Sequence, residues 1–187
     1  GRLPLVAVGR GPEAMNGEVL GYLSLHLHAH LPFVRHPEHE EFLEEDWLYE
    51  AITETYLPLL QVFDRATDEG IPFRISMTMS PPLVAMLRDD LLMQRYARRL
   101  DRLCELAERE VHRTRGDPTF QPLAQHYLQE FGELRRLFND RYRRDRVAAF
   151  GRLEAAGRLE LATCGATHGF LPLMQSSPEA ARAQVAV

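Results

Sequence analysis

Two β-type segments joined by one long helical run constrain this chain more than any other feature. Residues 19 to 28, VLGYLSLHLH, alternate apolar and polar positions before the breaker Pro32, and IPFRISMTM over 71 to 79 reads as a second strand. Between them, from about Asp46 to Asp68, the apolar residues Trp47, Leu48, Ala51, Ile52, Leu59, Leu60 and Phe63 recur at helical spacing. Pro58 is expected to kink that helix and Gly70 to close it as the residue just past its end. Strand, helix and strand make one β-α-β unit, which predicts an α/β fold with a parallel sheet.

A new helix is predicted to start at Ser80-Pro81-Pro82, with Ser as cap and Pro in the first turn. It runs from Leu83 to about Arg115 with a break near Asp89-Asp90, and a Gly-Asp-Pro turn at 116 to 118 ends it. Residues from Phe120 to about Gly157 read as helical, with Leu123, Tyr127, Leu128, Phe131, Leu134, Leu137 and Phe138 on one face. Arg158 to Thr163 reads as a third strand. A crossover needs only about a dozen residues, so the long stretch at about 83–157 is read as a helical insertion between the second and third strands. Its run of Arg141, Arg143, Arg144 and Arg146 is read as a solvated face paired with Glu and Asp rather than as a phosphate contact.

Composition narrows the function classes. The chain has 187 residues, 45% of them hydrophobic and 26% charged, as in ordinary globular proteins. Its 22 basic residues against 27 acidic ones give a net charge of −5, so neither nucleic acid nor an anionic membrane is an expected partner. All 22 are Arg, which excludes a lysine Schiff base or a P-loop lysine within this stretch. Cys104 and Cys164 stand alone, without CxxC spacing, so neither a disulfide framework nor a structural zinc site is expected, and the default compartment is the cytoplasm. No apolar run approaches the roughly 20 residues that span a bilayer. Residues 1–18 are read as a disordered extension, and 19–187 as the folded unit. The last residues, from Ser177-Pro178-Glu179 to QVAV, read as a helix, a pattern expected of a truncated chain.

Two constellations can carry chemistry. His26, His28 and His30 stand at period two, so in an extended segment they share one face while Leu25, Leu27 and Ala29 share the other. Such a face can orient a ligand by hydrogen bonds. It can also hold a metal ion if His36, His39 or Glu40 folds back from the next loop. The second constellation is Ala162-Thr163-Cys164-Gly165-Ala166-Thr167-His168-Gly169-Phe170-Leu171-Pro172-Leu173, where a strand enters a glycine-containing loop. His168 offers an imidazole and Phe170 an apolar face of the kind sugar rings stack on, while nothing in the sequence identifies a base beside Cys164. Trp47, the only tryptophan, is expected in the core in preference to a sugar platform. The neighbouring Glu44, Glu45 and Asp46 are explained by the positive end of a helix dipole.

Taken together, Gly21-Tyr22-Leu23, His28-Ala29-His30-Leu31-Pro32-Phe33-Val34-Arg35 and the segment Glu45-Asp46-Trp47-Leu48-Tyr49-Glu50 through Leu60 closely resemble the amino-terminal region of glycoside hydrolase family 57. Within it, the HxHLPF form and Ala166-Thr167-His168-Gly169-Phe170-Leu171-Pro172 look like the branching-enzyme group. The resemblance implies a partial (β/α)7 barrel with its site at the carboxyl ends of the strands. It implies a retaining mechanism in which a Glu nucleophile and an Asp acid/base stand about 5 to 5.5 Å apart. Neither motif is found here; both are expected beyond Val187.

By the same resemblance His28, His30 and His168 line the subsite of the reacting glucose; Phe170 and Trp47 stand beside them as candidate substrate contacts on the strength of their rings alone. A Trp common between the two first motifs has no counterpart, and Phe42 stands nearest to replace it. The expected partner is an α-glucan, with no cofactor and no metal, and the expected activity is that of a 1,4-α-glucan branching enzyme of the cytoplasm. The rivals are a 4-α-glucanotransferase or α-amylase of the same family, a metal-dependent deacetylase-like barrel with an ion on His28 and His30, and a non-catalytic glucan-binding module.

Overall fold

The structure is a computed structural model that describes residues 21 and 23–186. The extension expected over 1–18, and residues 19, 20 and 22 of the first predicted strand, lie outside the described residues. The chain divides into two compact units.

The first unit comprises the described residues up to Pro32, then 61–84 and 150–186. It holds a parallel sheet of three strands in the order β1-β2-β3: β1 is His26–Ala29, β2 Ile75–Met79 and β3 Leu159–Ala162. Register is fixed by His28 opposite Thr78 and by Met77 opposite Leu161. The first strand thus begins later than the sequence pattern suggests, and the second is shorter at its start. Ala29, Met77, Met79 and Leu159 are buried, and so is Phe63, whose ring stacks on Phe73 at 5.5 Å. The predicted β-α-β unit is therefore present, and a third parallel strand follows it.

The second unit comprises 33–60 and 85–149 and is helical. In chain order the helices are α1 Glu45–Ala51, α2 Leu57–Asp68, α3 Pro81–Leu87, α4 Asp90–Arg113, α5 Phe120–Arg136, α6 Arg146–Ala155 and α7 Pro178–Val185, with α2, α3 and α6 passing from one unit into the other. Between α1 and α2 the chain makes a π-helical turn, Ile52–Tyr56, closed by the Leu57 N–H on the Ile52 carbonyl. Pro58 explains it: without an N–H, and with a ring that crowds the carbonyl four residues back, it cannot sit in a regular ladder. The expected break at Asp89-Asp90 is present too. Asp89 is extended, and its carboxylate accepts from the Leu92 N–H at 3.0 Å, capping α4.

Three expectations need correction. The helix predicted across 120–157 is interrupted after a second π-helical turn, Leu137–Arg141. Arg143 and Arg144 adopt positive φ of 47° and 60°, and the Asp145 carboxylate caps α6 by accepting from the Ala148 N–H at 2.8 Å. No Gly or Pro marks this break. Arg146 does not belong to a solvated face. It is fully buried, 4.6 Å over the Phe138 ring, and donates to the Leu87 carbonyl at 2.9 Å and to the Met93 sulfur. Burial pushes its pKa down to about 10.

The acidic cluster at the start of α1 is likewise more than a dipole effect. Glu45 is buried and takes an ion pair from Arg95, a hydrogen bond from the Tyr49 hydroxyl at 2.8 Å and one from the His36 N–H at 3.2 Å. Asp46 pairs with Arg99, and Glu41 with Arg102. Arg95 also donates to the carbonyls of His36 and His39, so successive turns of α4 hold the segment before α1 in place. Tyr96 packs between them, edge-on to Phe138 at 4.8 Å and with its hydroxyl 3.0 Å from that of Thr53.

Candidate functional site

The site forms in the first unit at the carboxyl ends of the parallel strands. Strand alternation buries Ala29 and leaves His28 exposed on the opposite face. The Ser80 N–H, just past β2, donates to the Ala29 carbonyl at 3.0 Å, and Ser80 Oγ lies 2.7 Å from His30 Nδ1. Ser80 is fully buried, so the end of β2 fixes the imidazole that leaves β1. After β3 the chain turns back, and His168, at φ 59°, brings its ring within 3.9 Å of the His30 ring and 5.1 Å of the His28 ring. His28 and His30 are 6.4 Å apart.

Sequence reasoning thus selected three residues that the fold gathers from two strand ends 140 positions apart (168 − 28 = 140). His26, on the same predicted face, is engaged elsewhere: its Nε2 lies 2.8 Å from Thr78 Oγ1. Burial, then the neighbouring His168 and His28, hold the His30 pKa below its ordinary value. A neutral imidazole both donates and accepts, which suits it to sugar hydroxyls.

Cys164 Sγ lies 3.0 Å from His168 Nδ1, the base that the sequence alone did not reveal. Burial pushes the thiol pKa up, so the sulfur is held protonated and the pair lacks the thiolate of a nucleophile. Phe170, two residues on, is 66% exposed and free to offer its ring. Trp47 is the clearest correction here. Expected in the core, it is 50% exposed on α1, in the second unit. The loop histidines considered as metal ligands pack on Phe42 instead, with His36 at 3.7 Å and His39 at 5.0 Å between ring centres. Among the described residues no group of three His, Cys, Asp or Glu side chains is arranged to hold a metal ion.

Gln184 on α7 went unnoticed in the sequence. It contacts the loop carrying His168, with its carbonyl accepting from the Ala166 N–H at 2.9 Å and its side chain bonding twice to Thr167. One helical Gln carries no pattern that marks it for such a role.

Three parallel strands with three imidazoles gathered beyond their carboxyl ends define an α/β protein. The chain belongs to glycosyl hydrolase family 57, whose family model matches residues 24–187. It is 33% identical over 166 residues to a 1,4-alpha-glucan branching enzyme of Thermococcus kodakarensis, covering 89% of this chain and 24% of that enzyme. Among solved structures it is similar to the alpha-amylase AmyC of Thermotoga maritima, with TM-score 0.82 and 44% identity over 87% of this chain and 30% of that one. It is also similar to the Thermococcus branching enzyme determined in complex with glucose, with TM-score 0.80 and 32% identity over 89% of this chain and 29% of that one. The chain therefore spans about a quarter of the length of its curated relative.

Proposed function

We propose that the chain is the amino-terminal part of a retaining 1,4-α-glucan branching enzyme, which cuts an α-1,4 chain and transfers it to a 6-hydroxyl. In this reading residues 19–187 supply part of a (β/α)7 barrel with a helical insertion at about 83–157, and residues 1–18 are an extension. The Glu nucleophile and Asp acid/base lie beyond Val187, so this stretch alone is inactive. The substrate is an α-glucan and the compartment the cytoplasm. Among the described residues no helix is long and apolar enough to cross a membrane.

The observation that carries the reading is the convergence of His28, His30 and His168 within 3.9 to 6.4 Å at the strand ends. Their role is to hold glucose hydroxyls and to shape the charge around a glycosyl intermediate, gains that count only where they are stronger in the transition state. Phe170 and Trp47 supply faces for sugar rings, and both have the exposure such a contact needs. The test is linkage analysis of amylose treated with the whole gene product: new α-1,6 linkages support the reading, and their absence from an active enzyme ends it.

A second reading is favoured by one observation, the 44% identity to a structure described as an alpha-amylase. It shares the histidine site and differs in the acceptor, water in place of a 6-hydroxyl. Reducing ends that accumulate without α-1,6 linkages identify it.

A further inference from the structure

We propose that Gln184 is a positioning residue for His168, holding the turn that aims this imidazole at its two partners. The inference rests on the histidine site proposed above and adds a residue to it. His168 has φ 59°, a conformation that a side chain with a Cβ adopts only when its surroundings impose it. Within the turn the His168 N–H bonds to the Gly165 carbonyl at 2.8 Å, and the ring Nδ1 lies 3.0 Å from Cys164 Sγ. Further restraints come from Gln184.

Its carbonyl accepts from the Ala166 N–H at 2.9 Å, its Oε1 accepts from the Thr167 N–H at 2.9 Å, and its Nε2 donates to Thr167 Oγ1 at 2.8 Å. The two residues before His168 are thus tied by three bonds to one residue of α7. A primary amide is suited to this task, since its oxygen meets a backbone donor while its nitrogen meets a hydroxyl. The turn also lies close against the amide. A Cβ built on Gly165 falls 2.9 Å from Gln184 Oε1, whereas one on Gly169 meets Met174 Cε first, and Gln184 Cδ only at an ordinary 3.5 Å. Gly165 thus gives room for this side chain, while Gly169 gives room for Met174.

Among the described residues the hydrogen bonds of Gln184 go to Ala166 and Thr167 and none to the imidazoles, so the proposed effect passes through His168. That sets the test, made on the whole gene product with Gln184→Leu, Gln184→Asn, Gln184→Glu, His168→Ala and the double variant His168→Ala/Gln184→Leu. Leu removes both side-chain bonds and Asn withdraws the amide by one methylene. Glu keeps an acceptor for the Thr167 N–H and can accept from its hydroxyl. The expected result is a fall in kcat of about 10-fold for Leu, a smaller fall for Asn, and activity within about threefold of the parent for Glu, with KM little changed.

In the His168→Ala background the Leu substitution is expected to change kcat by less than about twofold, because the ring it positions is gone. Crystal structures of the Leu and Asn variants give a readout independent of activity: residue 168 leaves positive φ, and its ring withdraws from that of His30. Two results overturn the proposal: a φ and ring placement unchanged in both variants, or a Leu effect that multiplies undiminished onto His168→Ala. If instead His168→Ala leaves catalysis intact while Gln184→Leu displaces the ring, the glucose-subsite reading fails and the positioning role stands.

Discussion

Cys164 Sγ sits 3.0 Å from Nδ1 of His168, and burial keeps that sulfur protonated. Nδ1 is thus engaged by the sulfur, and Nε2 is the ring nitrogen left for a ligand. Iodoacetamide is expected to alkylate Cys164 at pH 7 more slowly than a free cysteine peptide, with the rate rising only above the usual thiol range. Peptide mass mapping over time gives the rate. Faster alkylation than the free peptide would identify a thiolate and reverse this assignment.

The histidine site makes stability depend on pH in a defined direction. His30 has a folded pKa below its unfolded value, so the folded chain binds fewer protons than the unfolded one as pH drops through about 6.5. The stabilisation is complete above the unfolded pKa and is lost as pH falls through the folded one. Urea midpoints measured from pH 7.5 to 5 are expected to decline, and to decline less in His30→Gln. An equal slope in the variant would assign the dependence to other groups.

The ion pair of Glu45 and Arg95 is buried on both sides, whereas Asp46 and Arg99 pair near the surface. Removing one partner of a buried pair strands the other charge away from water. Glu45→Ala is expected to lower unfolding free energy by about 3 to 5 kcal/mol, and Asp46→Ala by about 1 kcal/mol or less. Denaturant titration of the two variants distinguishes them, and equal losses would show that Glu45 is solvated.

Arg146 presents the opposite case, a buried guanidinium whose Nε and Nη1 have no hydrogen-bond partner among the described residues. Its neighbours are the Phe138 ring and the Met93 sulfur, both compatible with an apolar side chain of similar length, and the Leu87 carbonyl, which would lose a donor. Arg146→Met is expected to be neutral or stabilising by about 1 to 4 kcal/mol, as for other buried charges replaced by well-packed apolar residues. Calorimetric melting tests it. A marked fall in Tm would mean that the cation is compensated by something other than the contacts described.

Where the sequence carried periodicity or a breaker, the fold was legible. The β-α-β pattern, the stop at Asp89-Asp90 and the disturbance at Pro58 all follow from local chemistry, and so does the pairing of His28 with His30. What escaped depends on partners distant in the chain. The burial of Arg146 is set by Phe138 and Met93, the role of Glu45 by Arg95, and the Cys164 contact by a turn at His168 that no single residue type demands. Trp47 shows the reverse error: hydrophobic character placed it inside, but its position on α1 leaves half of it in solvent.

The π-helical turn at Ile52–Tyr56 acts as a phase shifter. Leu48, Ile52, Tyr56 and Leu60 are all buried at intervals of four, whereas a regular helix advances 3.6 residues per turn and would let such a series drift around its circumference. The extra residue in the wide turn cancels much of the drift and keeps the series on one side. Deleting one residue there would restore a regular ladder and leave Leu60 on the same side, because about eleven residues at about 100° each end about 20° past three full turns. Straightening the turn without a deletion would instead rotate Leu60 by about 100° away from the core, so this short stretch should tolerate the loss of one residue better than a regular helix would.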